Sequence, residues 1–346
     1  MAYRRVTVFG GSGFLGRQIV RRLADDGAEV RVAVRHPERA SFLTEAGTAG
    51  QIVPVHADVW DEVSVGPAVD GAEAVINTVG HYAERGQASF VAIHGQGARQ
   101  VARASAMAGV RRLVHVSGLG ADPASASPYV RARGIGERLV QEAFPEATIL
   151  RPCVLFGPGD AFLNRLAGLA RVLPVLPLFG TGETRLQPVY VRDVAEAVAH
   201  ALAAPVAKGQ VYELGGPRIY TYKALVQLVL AQVERRRLLI PVPYFVWELL
   251  AASVALLPNR PISRDQIILM KRDNVVGANA LTFAELGISP TSVEEILPTY
   301  LGQCPADPEP MEASDERVDS RSLRNRPREQ PDGQRADAGA GHGAGS

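Results

Sequence analysis

The sequence predicts an α/β protein: a doubly wound parallel sheet, then a smaller C-terminal lobe and a disordered tail. Three observations predict it. Through about the first 150 residues, short β-branched runs alternate with stretches of helical period. The first run, Val6–Phe9, meets the glycine turn Gly10-x-x-Gly13-x-x-Gly16, and a helical pattern follows at once. From Gln303 onward large apolar residues nearly vanish, leaving Pro, Asp, Glu, Arg and Gly that cannot bury enough surface to order the chain. The expected divisions are 1–158 for the sheet core, 159–302 for the lobe and 303–346 for the tail.

Composition narrows the function classes. A hydrophobic fraction of 47% suits a globular core, and a net charge of +1 gives no reason to expect nucleic acid as a partner. Cys153 and Cys304 lie far apart, so a disulfide is not expected and a reducing compartment fits. No signal peptide is expected before the first strand, and no apolar run reaches the ~18 residues of a membrane span. The seven histidines are scattered, and no spacing of His, Cys and carboxylates suggests a metal.

The elements follow in order. After the glycine turn, Leu15, Ile19, Val20 and Leu23 recur at helical steps over Phe14–Asp26, and Gly27 is placed to end that helix. In such a turn the glycines allow a tight bend, close backbone approach to a pyrophosphate and close helix packing. The helix N-terminus offers free N–H groups to the anion. Gly10, Ser12, Gly13, Phe14, Leu15 and Gly16 are therefore candidate dinucleotide contacts. Strand two, Glu29–Val34, ends at Arg35, with His36 and Arg39 beyond. A carboxylate there would meet a free ribose 2′-hydroxyl, whereas a cation suits a 2′-phosphate, so NADP is favoured over NAD. An ordinary solvated arginine is the alternative.

Strand three, Gln51–His56, leads to Asp58 and Val59. Asp58 is placed either to accept from an adenine amino group or to cap the next helix. Strand four, Ala74–Thr78, runs into Asn77-Thr78-Val79-Gly80, a small turn that would pass beneath a cofactor. A helical pattern over Ser89–Ala108 precedes strand five, Arg112–Ser117. The next helix carries Tyr129 and Arg133, and strand six, Thr148–Leu150, closes at Arg151-Pro152. In the lobe, Asp160–Val172 reads as helix, VLPVLPLFGTGE as loop and RLQPVYV as strand. Asp193 is expected to cap a helix through Ala203. Gln210–Leu214 reads as a strand, and Thr221 is expected to cap a helix to about Val233. Some of these elements are expected to return to the main sheet. Tyr244–Leu257 is apolar on nearly every side except Glu248. It is either a helix buried in the lobe or one docking on a partner or the membrane surface, with Arg260 and Arg264 suited to anionic headgroups.

These landmarks, together with HVSGLG, RPCVLFGPGD, VYVRDVAEAV and GQVYELGGP, resemble the extended and atypical short-chain dehydrogenase/reductase (SDR) superfamily over roughly residues 4–300. Within it, the chain is similar to the nucleotide-binding accessory subunits of respiratory complex I (alpha subcomplex subunit nine) and their bacterial relatives. The residues carrying that likeness are VTVFGGSGFLGRQIVRRL, RHPERA, HVSGLGAD, ATILRPCVLFGPGDAFLNRLA, LQPVYVRDVAEAV and RDQIILMKRDNVV. The resemblance implies a Rossmann-type core and a tightly held NADPH contacted also by Asp58, Val59, Asn77, Val79, Gly80, Ser117, Tyr129, Arg133, Pro152 and Val154. It implies a structural role at the membrane-facing arm of complex I, alongside other complex I subunits, and does not imply turnover. The expected location is peripheral, on the cytoplasmic side of a bacterial inner membrane or the matrix side in a mitochondrion.

An active SDR pairs its tyrosine with a lysine four residues on and a serine near the end of strand five. Here Tyr129 is followed by Arg133, whose planar fork is not a compact ammonium. The only lysines are Lys208, Lys223 and Lys271, so none lies in the sheet core. Ser117 sits at the strand end, but Gly118 and Leu119 hold the places where extended SDR enzymes carry the working hydroxyl, and Phe156 replaces a usual tyrosine. Tyr129, Arg133 and Ser117 thus read as vestiges. The expectation is a non-catalytic NADPH-binding accessory subunit. The alternative is a free-standing NADP(H)-dependent oxidoreductase or epimerase acting on a carbonyl, sugar or isoprenoid-like substrate; a redox-sensing regulator is a third reading.

Overall fold

Arg5–Phe9 forms an interior strand, β1, because its inward side chains, Val6 and Val8, are wholly apolar and its one buried hydroxyl, Thr7, donates to the Ala68 carbonyl at 2.8 Å. In the computed structural model, which describes residues 3–81, 89–253 and 264–301, the chain continues through α1 (Phe14–Asp25), β2 (Glu29–Val34), β3 (Ile52–His56), α2 (Glu62–Val69) and β4 (Ala74–Asn77). A π-helical turn over Val91–Gly97 then runs into α3 (Ala98–Met107), followed by β5 (Arg112–Val116), α4 (Pro128–Ala143) and β6 (Thr148–Pro152). The order continues with β7 (Leu155–Phe156), α5 (Leu163–Val172), β8 (Val175–Phe179), β9 (Arg185–Leu186), β10 (Val189–Tyr190), α6 (Val191–Ala203) and β11 (Val211–Leu214). It closes with β12 (Tyr220–Thr221), α7 (Tyr222–Gln232), β13 (Leu238–Val242), α8 (Tyr244–Ser253), α9 (Arg264–Met270) and α10 (Val293–Ile296).

Seven strands make one parallel sheet in the order β11-β6-β5-β4-β1-β2-β3. The winding reverses between β1 and β4, and ligands of such sheets bind outside the carboxyl ends of the strands at that reversal. One face packs on α1 and α6 through Ile19, Val20, Leu23, Val194 and Val198; the other packs on α2, α3 and α4 through Val65, Val69, Val101 and Val140. The seventh strand, β11, comes from the C-terminal part of the chain and pairs with β6 from Val211↔Ile149 to Leu214↔Pro152. The expected return of lobe elements to the main sheet is met there.

Several local expectations change. VLPVLPLFGTGE is not a loop: it contains β8, which pairs in parallel with the unforeseen strand β13. Leu176 and Leu178 are buried while Pro177 faces out, and a two-stranded ribbon tolerates a residue lacking an N–H. RLQPVYV is broken at Gln187-Pro188 into β9, antiparallel to β12, and β10, parallel to β7. The helix expected from Asp160 starts at Leu163, with Asp160 buried and accepting from the amides of Gly157 and Asn164, both at 3.3 Å. Asp193 is not a cap. Its helix starts at Val191, and its carboxylate takes the Thr291 amide at 2.6 Å and hydroxyl at 3.0 Å. Thr221 does cap α7, accepting from the Ala224 amide at 3.1 Å.

The buried-helix alternative for the apolar stretch at Tyr244 fails. Only Ala251 of α8 is buried, while Phe245 and Leu249 are 69% and 70% exposed. Residues 254–257, Arg260, Cys304 and the tail from 303 lie outside the described residues. Among the described residues no helix is long and apolar enough to cross a membrane. Cys153 is buried, and that burial pushes its thiol up to about 12, leaving it an inert core group.

Candidate functional site

The glycine turn sits at the reversal of the sheet. Gly10 takes a φ of +75°, open to glycine at little cost, and directs the chain from β1 into α1. Its carbonyl accepts from the Gly13 amide at 3.0 Å, and the end of β4 closes on it from the other side, where Thr78 Oγ1 donates to the Phe9 carbonyl at 2.8 Å. Gly16 is required by contact: a methyl there would lie 2.8 Å from Gly11 Cα and press still closer on the Gly10 carbonyl. Helix α1 starts behind Gly13 with no side-chain cap and no acidic residue in its first turn. Its leading N–H groups, beside Ser12, Phe14 and Leu15, thus keep the capacity to take an anion.

The ends of β2 and β3 flank this turn. Arg35 follows β2 directly and is exposed, with no ion pair among the described residues; its carbonyl is 2.9 Å from His56 Nδ1. Asp58 does not cap α2. That work falls to Asp61, whose carboxylate accepts the Val63 amide at 3.1 Å. Asp58 Oδ1 instead holds the Trp60 amide at 3.0 Å, and buried Val59 packs against Gly97. At the end of β4, buried Asn77 accepts the Val79 amide at 3.1 Å, fixing the turn that leads to Gly80. At β6, the Pro152 carbonyl accepts the Leu119 amide at 3.0 Å, and the Val154 amide reaches Asn274 Oδ1 at 2.9 Å. Every sequence-derived site residue thus lies at the carboxyl end of a parallel strand or on the loop or helix just beyond it, except Tyr129 and Arg133 on α4.

Tyr129 lies in an aromatic box that the sequence did not announce. The rings of Phe90 and His94 each stand edge-on to it at 5.4 Å, and the Arg133 guanidinium lies 4.9 Å from its centroid. The π-helical turn carries Phe90 and His94 to this place, and Gly136 of α4 permits it, since a methyl there would overlap the His94 carbonyl. His94 Nε2 is 2.9 Å from the carbonyl of His81. His115 on β5 faces the same cluster. Ser117 Oγ, His115 Nδ1 and Arg133 Nε are buried without a hydrogen-bond partner among the described residues, so a polar ligand can satisfy them.

Burial, aided by the Arg133 charge, lowers both His94 and His115 from the ordinary 6.5 to about 3. Both are neutral when folded and take a proton only on unfolding. Stability is therefore full above about pH 6.5 and falls as the pH drops toward 3, each histidine costing about 1.4 kcal/mol per unit. The thermal midpoint is expected to fall between pH 7 and pH 5, and His115→Asn is expected to flatten that slope. An unchanged slope contradicts the assignment.

Residues 6–215 match the model of the NAD dependent epimerase/dehydratase family, well over half of the chain. The chain belongs to that family. Among curated proteins, it is 36% identical over 296 residues to NADH dehydrogenase [ubiquinone] 1 alpha subcomplex subunit 9, mitochondrial, of Arabidopsis thaliana, covering 82% of this chain and 74% of that protein. It is 34% identical over 201 residues to a ceramide reductase of Caulobacter vibrioides, covering 58% and 62%. The solved structure of dTDP-glucose 4,6-dehydratase from Streptomyces venezuelae, with NAD and TYD bound, shares the fold at a TM-score of 0.64. That match is 20% identical and covers 86% of this chain and 95% of that one.

Proposed function

We propose that the chain is a non-catalytic, NADPH-binding accessory subunit of a complex I-type NADH:quinone oxidoreductase, supporting its assembly and stability. The observation that carries the reading is the likeness to a mitochondrial complex I subunit over most of both chains, joined to a site that fits a dinucleotide but is poor in proton-transfer groups. The uncapped N-terminus of α1 and the Gly10–Gly16 cradle suit a pyrophosphate. Arg35, which forms no ion pair among the described residues, suits a 2′-phosphate and so favours NADPH over NADH. On this reading Asp58 would accept from the adenine amino group, and Ser117, Tyr129 and Arg133 would hold the ribose and nicotinamide end. A reduced nicotinamide supplies a hydride, but Tyr129 lacks the lysine four residues on and shares its ring face with a guanidinium.

On this reading the dinucleotide acts as a structural ligand. A ligand that binds only the folded state stabilises it by ~4 kcal/mol when present at a thousand times its Kd. The exposed apolar face of α8, with Phe245, Leu249 and Leu250, serves contact with other subunits or the membrane surface. The protein would then sit peripherally, on the cytoplasmic or matrix face. Purification of the tagged chain from its native membranes tests this. The expected fraction holds quinone-reductase subunits and one NADPH per chain. A lone soluble monomer or dimer that turns over NADPH favours the reductase reading, toward which the ceramide reductase likeness points.

A further inference from the structure

Arg133 packs closely against Gly118 and in ordinary contact with Gly80. A methyl built at Gly118, on the loop after β5, would lie 3.1 Å from Arg133 Nη1 and 3.4 Å from Cζ. One built at Gly80, on the loop after β4, would lie 3.5 Å from Nη2. The guanidinium therefore spans the carboxyl ends of two neighbouring strands, with the Tyr129 ring against it. It cannot easily swing away, because its Nε is fully buried and its stem packs along Gly118, with Cδ 3.5 Å from the same built methyl. Position 118 is one of the two places where an extended SDR enzyme carries its working hydroxyl. The two departures from an active site are thus in contact.

We propose that Arg133 and Gly118 form one matched device: the arginine fills the substrate's place, and the glycine is what lets it fit. The inference rests on the reading of the site as a dinucleotide holder and says how a carbonyl substrate is kept out. The chain keeps a positive charge beside the tyrosine and loses both the hydroxyl and the room a substrate needs. His94 and His115 do not stand in, since both are held neutral.

A double-mutant cycle on the full chain tests the coupling. Gly118→Ser in the parent is expected to lower the thermal midpoint of the cofactor-free protein by about 3 °C. It is also expected to weaken NADPH about tenfold, since the displaced guanidinium leaves its seat. In an Arg133→Ala background, and less fully in Arg133→Lys, the same serine is expected to cost nothing in either readout. Access gives a third measure: acrylamide quenching of bound NADPH fluorescence is expected to be weak in the parent and to rise several-fold in Arg133→Ala. Equal effects of Gly118→Ser in all backgrounds, or strong quenching in the parent, overturn the proposal. If the parent binds no NADPH, the dinucleotide reading fails while the thermal cycle still decides whether the two residues are coupled.

Discussion

Gly16→Ala is expected to abolish dinucleotide binding and to lower the stability of the fold. The added methyl would press on the Gly10 carbonyl and sit 2.8 Å from Gly11 Cα. These are backbone atoms, so no side chain can rotate to make room. Either α1 moves off β1 or the turn opens, and overpacking of this kind costs about 1–3 kcal/mol. Its consequence for binding is larger than for folding. The N–H groups that would face a pyrophosphate keep their positions only while Gly10, Gly13 and Gly16 hold the turn shut. Calorimetric titration with NADPH alongside thermal unfolding separates the two effects. A variant that melts lower yet binds normally would show that the turn does not form the phosphate site.

Arg35→Asp is the second large effect. Charge-assisted hydrogen bonds contribute about 1.5–3 kcal/mol, so loss of a 2′-phosphate partner should weaken NADPH by roughly ten- to a hundredfold. An aspartate in its place would also repel that phosphate and accept from a free 2′-hydroxyl. NADH affinity should then hold or improve. Arg35 forms no ion pair among the described residues and is exposed, so its replacement should leave the thermal midpoint of the cofactor-free chain within a degree or so. Equal losses for NADPH and NADH would contradict the 2′-phosphate assignment.

The sheet was legible because each strand of its first half is an apolar run bounded by a glycine or polar turn, and periods of 2 and 3.6 are hard to confuse at that length. The β8–β13 ribbon was not, since Pro174 and Pro177 are read as breakers and a strand paired only at one edge has no need of an unbroken apolar run. Asp193 failed as a cap for a different reason. Its partner, Thr291, is 98 residues away in sequence, and no local pattern announces it. At the site, the glycine turn after β1, the position of Arg35 after β2 and the pairing of Tyr129 with Arg133 one helical turn on all follow from spacing alone. What spacing could not give is the company they keep. Phe90 and His94 reach Tyr129 through a π-helical turn that adds one residue to the helical repeat, shifting which side chains face α4. The short glycine-rich segments Gly95-Gln-Gly97 and Gly134-Ile-Gly136 were the available signal, since small residues at such spacing let two helices touch.

The central claim is that the site holds its dinucleotide and does not use it. Its most direct test loads the purified chain with NADPH, removes the excess, and follows the absorbance of the reduced nicotinamide while aldehydes, ketones, a long-chain ceramide precursor and nucleotide sugars are added in turn. The absorbance is expected to stay constant over hours with each of them, and to be the same in Tyr129→Phe. A substrate-dependent decay that Tyr129→Phe abolishes would show that the tyrosine still transfers a proton and that the chain is an enzyme.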